Sequence, residues 1–325
     1  MQAIVQDSYG DSDALSLLEV PTPVPKDAEV LVEVRAAALH IGDLMMMRGE
    51  PYVMRAGTGV RKPKKRTPGY DFAGVVASVG GTVSGVEPGN EIYGEANVGS
   101  CAQYVVVTTK TMAPKPATLT FEEAAAIPVS AVTALRGIRD AGKVKVGDRV
   151  LINGATGGVG IYAIQIAKSL GADVTAVCGP GNVELARELG ANHVIDYTEE
   201  DYSLGEAKYD LILDNVANRS PAQARRAVAD GGLYLSNSAR SDGRWFGAVG
   251  RMANAGISSM FVSKQGRPFY SPVRRQDLLD LNQLIETGEL RPVIDRTYPL
   301  DETAAAMDYI AGGHASGKTV IAVAG

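Results

Sequence analysis

The sequence predicts an α/β chain in which a doubly wound parallel sheet follows a β-rich, irregular segment. Three observations carry that expectation. An apolar strand runs through a glycine turn into a helix at 149–170. Apolar strands and helical segments then alternate up to about 262. The first 121 residues instead show short strands cut by proline and glycine.

The stretch at 149–170 reads RVLINGATGGVGIYAIQIAKSL. Val150, Leu151 and Ile152 make a run short and β-branched enough for a buried strand. The turn Gly154-Ala155-Thr156-Gly157-Gly158-Val159-Gly160 breaks it, and Val159, Ala163, Ile166 and Leu170 resume at helical spacing. Strand, glycine turn and helix in this order open a dinucleotide-binding unit. Residues without a Cβ let the backbone meet a pyrophosphate, whose charge rests on the N–H groups at the helix start. Aligned on G-x-G-x-x-G, the chain has Ala155, Gly157 and Gly160, so alanine replaces the first glycine.

Beyond the turn, strands are expected at 173–178, 193–196, 209–214, 233–236 and near 257–262, with helices at 182–189 and 221–229. Together with the opening strand these supply six, the complement of two mononucleotide-binding halves. Nearer the N-terminus, 29–35 alternates, with Val30, Val32 and Val34 on one face and Glu33 and Arg35 on the other. Pro21, Pro23, Pro25 and the turn Glu87-Pro88-Gly89-Asn90 punctuate this region. The charge run RKPKKR at 61–66 reads as a loop, either simply solvated or a lip that steers anions. TFEE at 120–123 has the form of a capping box that opens a helix through Ala126 and marks the domain crossover. After 262, a helix is expected at 272–286 and a strand at 318–324 that returns to the first domain. There is no internal repeat at solenoid spacing.

With 325 residues there is room for two cores. Cys101 and Cys178 are too few for a disulfide framework or a structural zinc lobe. A net charge of -5 argues against a nucleic-acid partner. No run is long and uncharged enough to span a bilayer, and the N-terminus lacks a signal-peptide pattern, so a cytoplasmic protein is expected.

Six blocks, in order, carry a family resemblance: AAALHIGDLMMMRGE (36–50), PGYDFAGVVASVG (68–80), AAAIPVSAVTALRGI (124–138), GDRVLINGATGGVG (147–160), LARELGANHVIDY (185–197) and GHASGKTVIAV (313–323). Over essentially its whole length the chain resembles the zinc-free, quinone oxidoreductase-like branch of the medium-chain dehydrogenase/reductases. The resemblance implies a chaperonin-10-like catalytic domain from residues 1–121 and 264–325, a Rossmann cofactor domain at 122–263, and an active site in the cleft. It also implies a homodimer through the edge strand near 257–262, an edge that would otherwise stay unpaired. The implied reaction is zinc-independent hydride transfer from NADPH to a small apolar quinone or to the C=C of an α,β-unsaturated carbonyl. Two alternatives stand beside it: an NADP-dependent carbonyl/alcohol oxidoreductase, and a nucleotide-binding regulatory protein with little turnover.

Where zinc-dependent relatives place ligands, this chain has His40, Tyr70 with Asp71, and Val129, which do not make the three protein ligands of a catalytic zinc. The branch usually has Asn at the His40 position and often Tyr at that of Met45. His40 is the first candidate for a proton or hydrogen-bond donor to a carbonyl oxygen; the alternative is a hydrogen-bonded structural histidine. Tyr52 and Tyr70 are secondary donors, Asp43 is expected to hold the loop backbone, and Met45, Met46 and Met47 read as adaptable packing. For the cofactor, the resemblance points to Ala155, Thr156, Gly157, Gly158, Val159 and Gly160 at the pyrophosphate. Cys178, Gly179 and Asn182 fall in the turn facing the adenosine ribose, where no carboxylate repels a 2′-phosphate and no arginine clamps it. Tyr197 is expected at that phosphate or as a half-buried tyrosine after a strand. Thr133, Asn215 and Val216 are expected near the nicotinamide, Ser236 at the end of the fifth strand, and Lys318 near the pyrophosphate.

Overall fold

The computed structural model describes residues 1–96, 99–237, 245, 265–268, 271–313 and 315–323. The chain divides into two compact units, Met1–Val132 with Pro272–Gly325, and Thr133–Ser271.

The first unit opens with β1 (Gln2–Gln6), paired antiparallel with β2 (Leu15–Glu19). The long strand β3 (Glu29–Leu39) follows, with Val30, Val32 and Val34 buried on one face as its alternation requires. Next come helix α1 (Ile41–Arg48), the helical turn α2 (Arg55–Thr58), and strands β4 (Asp71–Val79), β5 (Glu91–Glu95), β6 (Tyr104–Thr108) and β7 (Met112–Pro114). Thr120 accepts from the Glu123 N–H while Glu123 accepts from the Thr120 N–H, so the expected capping box is formed. It opens α3 (Phe121–Ala125), after which α4 (Pro128–Leu135) passes into a π-helical turn at Arg136–Ala141. The sequence reading did not anticipate this helical stretch. Because α3 packs on β3 and β4, the first unit extends to Val132, past the crossover expected at 121.

The second unit is a six-stranded parallel sheet in the order β10-β9-β8-β11-β12-β13. Its strands are β8 (Arg149–Asn153), β9 (Asp173–Cys178), β10 (His193–Asp196), β11 (Tyr209–Asp214), β12 (Val228–Ser236) and β13 (Gln265–Pro268), with helices α5 (Gly160–Ser169), α6 (Val183–Glu188) and α7 (Pro221–Ala224). Counted within the unit the order is 3-2-1-4-5-6, that of two mononucleotide-binding halves. After their first residues, Arg149 and Asp173, β8 and β9 are buried and mostly apolar, as parallel strands covered on both faces must be. One expected boundary changes: β12 starts at Val228, not 233, and the preceding helix ends at Ala224 in a 3-10 turn. The Gly231-Gly232 pair that reads as a break sits inside the strand, at an irregularity in its register with β11 where Gly231 takes φ 79°. The strand expected at 257–262 lies outside the described residues. β13 pairs with β12 and holds 265–268 in this unit, past the boundary expected at 263.

The chain then returns to the first unit through α8 (Arg275–Glu286), β14 (Ile294–Pro299), α9 (Thr303–Ala311) and β15 (Lys318–Ala322). The seven-stranded sheet runs β14-β15-β3-β4-β5-β7, with β6 also on β3, around a core that includes Val32, Phe72, Met112, Met307 and Ile321. Register decides what meets at one end of this sheet. Thr319 pairs with Leu39, Asp71 with Ala38, and Asp71 with Glu95, so His40, Asp71, Glu95 and Lys318 converge from four strands. No helix among the described residues is long and apolar enough to cross a membrane.

Candidate active site

In the glycine turn the backbone shows which residues the fold needs and which it leaves for a ligand. Gly154 takes φ 72°, so the left-handed residue of the turn lies one place before the motif's first position. Ala155 is therefore tolerated there: its side chain is buried and its N–H donates to Val177 O at 3.0 Å. Gly160 is required by packing, because a Cβ would run into the carbonyl groups of Gly154 and Ala155. Gly157 is different: a Cβ there would meet nothing nearer than Gly154 O at 3.5 Å. The fold does not demand glycine at 157, whereas a pyrophosphate lying against the backbone would. A nicotinamide dinucleotide fits a turn of this kind, in which the N–H groups of Ile161 and Ala163 already donate to Gly157 O and Val159 O at 3.1 and 3.0 Å.

After β9, Cys178 is buried and burial pushes its thiol up, whereas Gly181 is exposed. Tyr197 is 51% exposed, its N–H donates to Cys178 O, and its hydroxyl lies 3.2 Å from where a Gly179 Cβ would stand. Tyr197 thus covers this turn. Asn182 begins the approach to α6.

At the carboxyl ends of β8, β11 and β12 a polar network fixes the loop after Asp214. Asp214 Oδ1 accepts from Asn153 Nδ2 (2.8 Å) and from the N–H groups of Val216 and Ala217 (3.1 and 2.8 Å), while Oδ2 accepts from Tyr234 OH at 2.7 Å. Val216 comes to lie against Gly154, where a Cβ would meet Val216 Cγ2 at 2.6 Å. Asn215 Oδ1 accepts from Asn237 Nδ2, leaving its own buried Nδ2 with no partner. An orphaned donor beside the glycine turn suits a bound cofactor. Ser236 ends β12 opposite Asp214, and Thr133 is buried on α4. Asp214, Asn153 and Tyr234 were missed by sequence reasoning; polar residues closing apolar strands were the available signal.

In the first unit, His40 caps α1. Its Nδ1 accepts from Gly42 N–H at 3.0 Å, and only a glycine leaves room, since a Cβ at 42 would meet the imidazole at 2.7 Å. Asp43 completes the capping box by accepting from the His40 N–H at 2.8 Å, and its other oxygen accepts from Gly69 N–H at 3.1 Å. Asp43 holds the loop backbone as expected. With its Nδ1 lone pair engaged by a donor, neutral His40 carries its proton on Nε2, and that buried Nε2 has no partner. Burial holds the imidazole down at about 4, with Asp71 opposing and Lys318 assisting. Tyr70 stacks on the ring at 5.8 Å. Tyr52 belongs to another cluster, under the Arg55 guanidinium at 4.4 Å.

Behind His40, Lys318 Nζ lies 3.3 Å from Asp71 Oδ2 and donates to Ser130 Oγ at 2.9 Å, and both charged groups are almost wholly buried. The ammonium expected at a pyrophosphate is held here by Asp71 and Ser130. Asp71 Oδ1 accepts from Val129 N–H at 2.9 Å. Burial pushes Asp71, Asp43 and Glu95 up, the last two to about 7. Of the residues at the ligand positions, His40 Nδ1 faces an N–H, Asp71 is tied to Lys318 and to α4, and Val129 offers no ligand atom, so the donor set does not fit a catalytic zinc. No group of three or more His, Cys, Asp or Glu among the described residues could hold a metal.

Residues 26–117 match the alcohol dehydrogenase GroES-like domain, and 189–321 match the zinc-binding dehydrogenase domain. A 2-methylene-furan-3-one reductase of Solanum lycopersicum is 33% identical, over 99% of this chain and 79% of that protein. A chloroplastic NADPH-dependent alkenal/one oxidoreductase of Arabidopsis thaliana is 31% identical, with coverages of 99% and 79%. The solved quinone oxidoreductase of Coxiella burnetii superposes with a TM-score of 0.87 at 29% identity, covering 100% of this chain and 99% of that one. The two domain matches and the relatives that align over 99% of this chain make it an oxidoreductase of the medium-chain dehydrogenase/reductase family, quinone oxidoreductase-like.

Proposed function

We propose that the chain reduces a quinone, or the C=C of an α,β-unsaturated carbonyl, with hydride from NADPH and without zinc. The observation that carries this reading is the orphaned Nε2–H of His40 on an imidazole held neutral. When bound, the cofactor supplies the hydride. Hydride addition leaves an enolate or hydroquinone anion whose charge sits on the acceptor's carbonyl oxygen; a neutral N–H donor set at that oxygen stabilises it, and water then supplies the proton that completes the reduction. Gly42 and Asp43 fix the ring's orientation, and Tyr70 limits its tilt from one face. An alcohol, by contrast, needs its hydroxyl deprotonated, and the described residues offer neither a metal donor set nor a free His40 Nδ1 for that.

The turn Gly179-Pro180-Gly181 without a carboxylate, covered by Tyr197, supports NADPH over NADH; the Arabidopsis relative is named as NADPH-dependent. Cofactor residues in this reading are Gly157 with its neighbours, Tyr197, Asn215 and Val216. A homodimer through the β13 side of the sheet belongs to the same reading, since β13 ends the described strand order. Following NADPH oxidation against quinones, enones and aldehydes, and NADP reduction against alcohols, tests it. Turnover with quinones or enones is expected. Alcohol oxidation as the dominant activity would replace the reading with a carbonyl/alcohol oxidoreductase. Tight cofactor binding with no turnover of any acceptor would replace it with a regulatory role.

A further inference from the structure

A cavity of about 310 Å³ in the first unit borders the His40 cluster, sharing Asp43, Gly69 and Tyr70 with it, and its other walls have not yet been given a role. Asp43, Met46 and Met47 of α1 and its start form one side, Tyr70 another, and Lys64 and Lys65 of the basic run a third. The methionines give it a deformable apolar wall. The two lysines differ. Lys64 Nζ donates to Gly57 O at 3.0 Å and so folds its own loop. Lys65 Nζ has neither a hydrogen bond nor an ion pair among the described residues; it lies 5.9 Å from the centre of the Tyr70 ring.

The charges around Lys65 leave it available. Burial holds the Lys65 ammonium below its ordinary value, opposed by the charge of Glu95, and burial in turn pushes Glu95 up to about 7, which weakens its hold on that cation at neutral pH. Arg66 in the same run is paired with Asp7 at 2.6 Å. The run as a whole is a local cationic patch on a chain of net charge -5, so the field at this cavity opposes that of the rest of the molecule. Tyr70 links the cavity to the catalytic candidate, since one ring lines the cavity and stacks on His40.

We propose that this cavity receives a carboxylate carried on the acceptor, and that Lys65 is the residue that selects for it. The proposal rests on the reductase reading and adds the substrate class: a flat or short-chain acceptor with its carbonyl at His40 and an acidic end past Tyr70. No covalent step is involved; the lysine contributes a charge-assisted hydrogen bond from the exposed rim of the cavity.

The test compares an alkyl vinyl ketone bearing a carboxylate at the far end of its chain with the methyl ester of the same compound. In the wild type, kcat/KM favours the acid. Lys65→Met lowers the acid-to-ester ratio about tenfold, through KM, and Lys65→Arg restores most of it. Lys62→Met, on the same run but outside the cavity lining, leaves the ratio as it was. Added salt narrows the wild-type ratio. A ratio unmoved by Lys65→Met, or moved equally by Lys62→Met, overturns the proposal. Binding of the saturated carboxylate, followed by saturation-transfer NMR, is read independently of turnover. Should neither acceptor be reduced, the reductase reading fails, while loss of that binding in Lys65→Met upholds the subsite and its retention overturns it.

Discussion

The glycine turn of the second unit and the histidine cluster of the first prepare for a ligand in opposite ways. At 154–160 the backbone acts, with Gly160 required by the packing and Gly157 left without a packing demand, the position we assign to a ligand. Around His40 the side chains act, and the backbone serves to orient them: Gly42 N–H fixes the imidazole, and Val129 N–H and Gly69 N–H anchor Asp71 and Asp43. The difference teaches that substitution should separate stability from function cleanly in the turn, and only partly in the cluster, where buried charges do both.

The largest expected effect tests that separation within the turn. Gly160→Val should cost about 4 kcal/mol or more and fail to fold, because the added atoms collide with main chain that cannot retreat. Gly157→Val should melt near the wild type yet bind NADPH at least about a hundredfold more weakly. Melting curves and fluorescence titration check both, and equal destabilisation by the two would erase the contrast.

Next comes the buried pair. Asp71→Ala strands the Lys318 ammonium among buried groups and should cost about 3–5 kcal/mol. Adding Lys318→Met to it should recover much of that loss, read by urea unfolding as a double-mutant cycle. If the double variant is no better than the single, Lys318 finds another partner and the cluster is less closed than described.

The third effect is catalytic. His40→Ala should lower kcat by about a hundredfold, the usual cost of removing one donor to a developing oxyanion, with cofactor affinity unchanged. His40→Asn should retain more, because an amide can present an N–H from the same position. Smaller still is the effect of cofactor choice. A Cβ at Gly181 meets open space, so Gly181→Arg should fold and favour NADPH over NADH by about a further tenfold. Tyr197→Phe should weaken NADPH only a few-fold. Titration of both cofactors checks the pair.

Much of this was legible in the sequence because it is local. The β8 strand, the turn and the start of α5 occupy one short stretch, and the alternation of Val30, Val32 and Val34 announces its own buried face. The capping box at Thr120–Glu123 is local too. What escaped is set by register. Lys318 and Asp71 stand 247 residues apart, and only the pairing of β15 on β3 and of β3 on β4 brings them together. Lys318 was expected near the pyrophosphate, and nothing local to it announces Asp71. The strand start expected at 233 was late for a related reason, since the register irregularity that lets β12 begin at Val228 depends on its pairing with β11. His40 was named as a candidate, but its tautomer follows from Gly42, whose role appears only when the imidazole is seen lying on it.

The sign of the pH dependence follows from the same cluster. His40 takes its proton in the folded state at about 4, below the ordinary 6.5, so it adds no pH dependence above 6.5 and costs stability as pH falls from there towards 4. Asp43, raised from 3.8 to about 7, works oppositely: its contribution is complete below 3.8 and is lost as pH rises towards 7.

The central claim is that His40 is neutral and carries its proton on Nε2. The chain has three histidines, so imidazole 15N shifts can be assigned by comparison with His40→Asn. Titrated from pH 8 to pH 5, the wild type is expected to keep the His40 resonances of the Nε2–H tautomer throughout. An imidazolium at pH 6, or a proton on Nδ1, would contradict it.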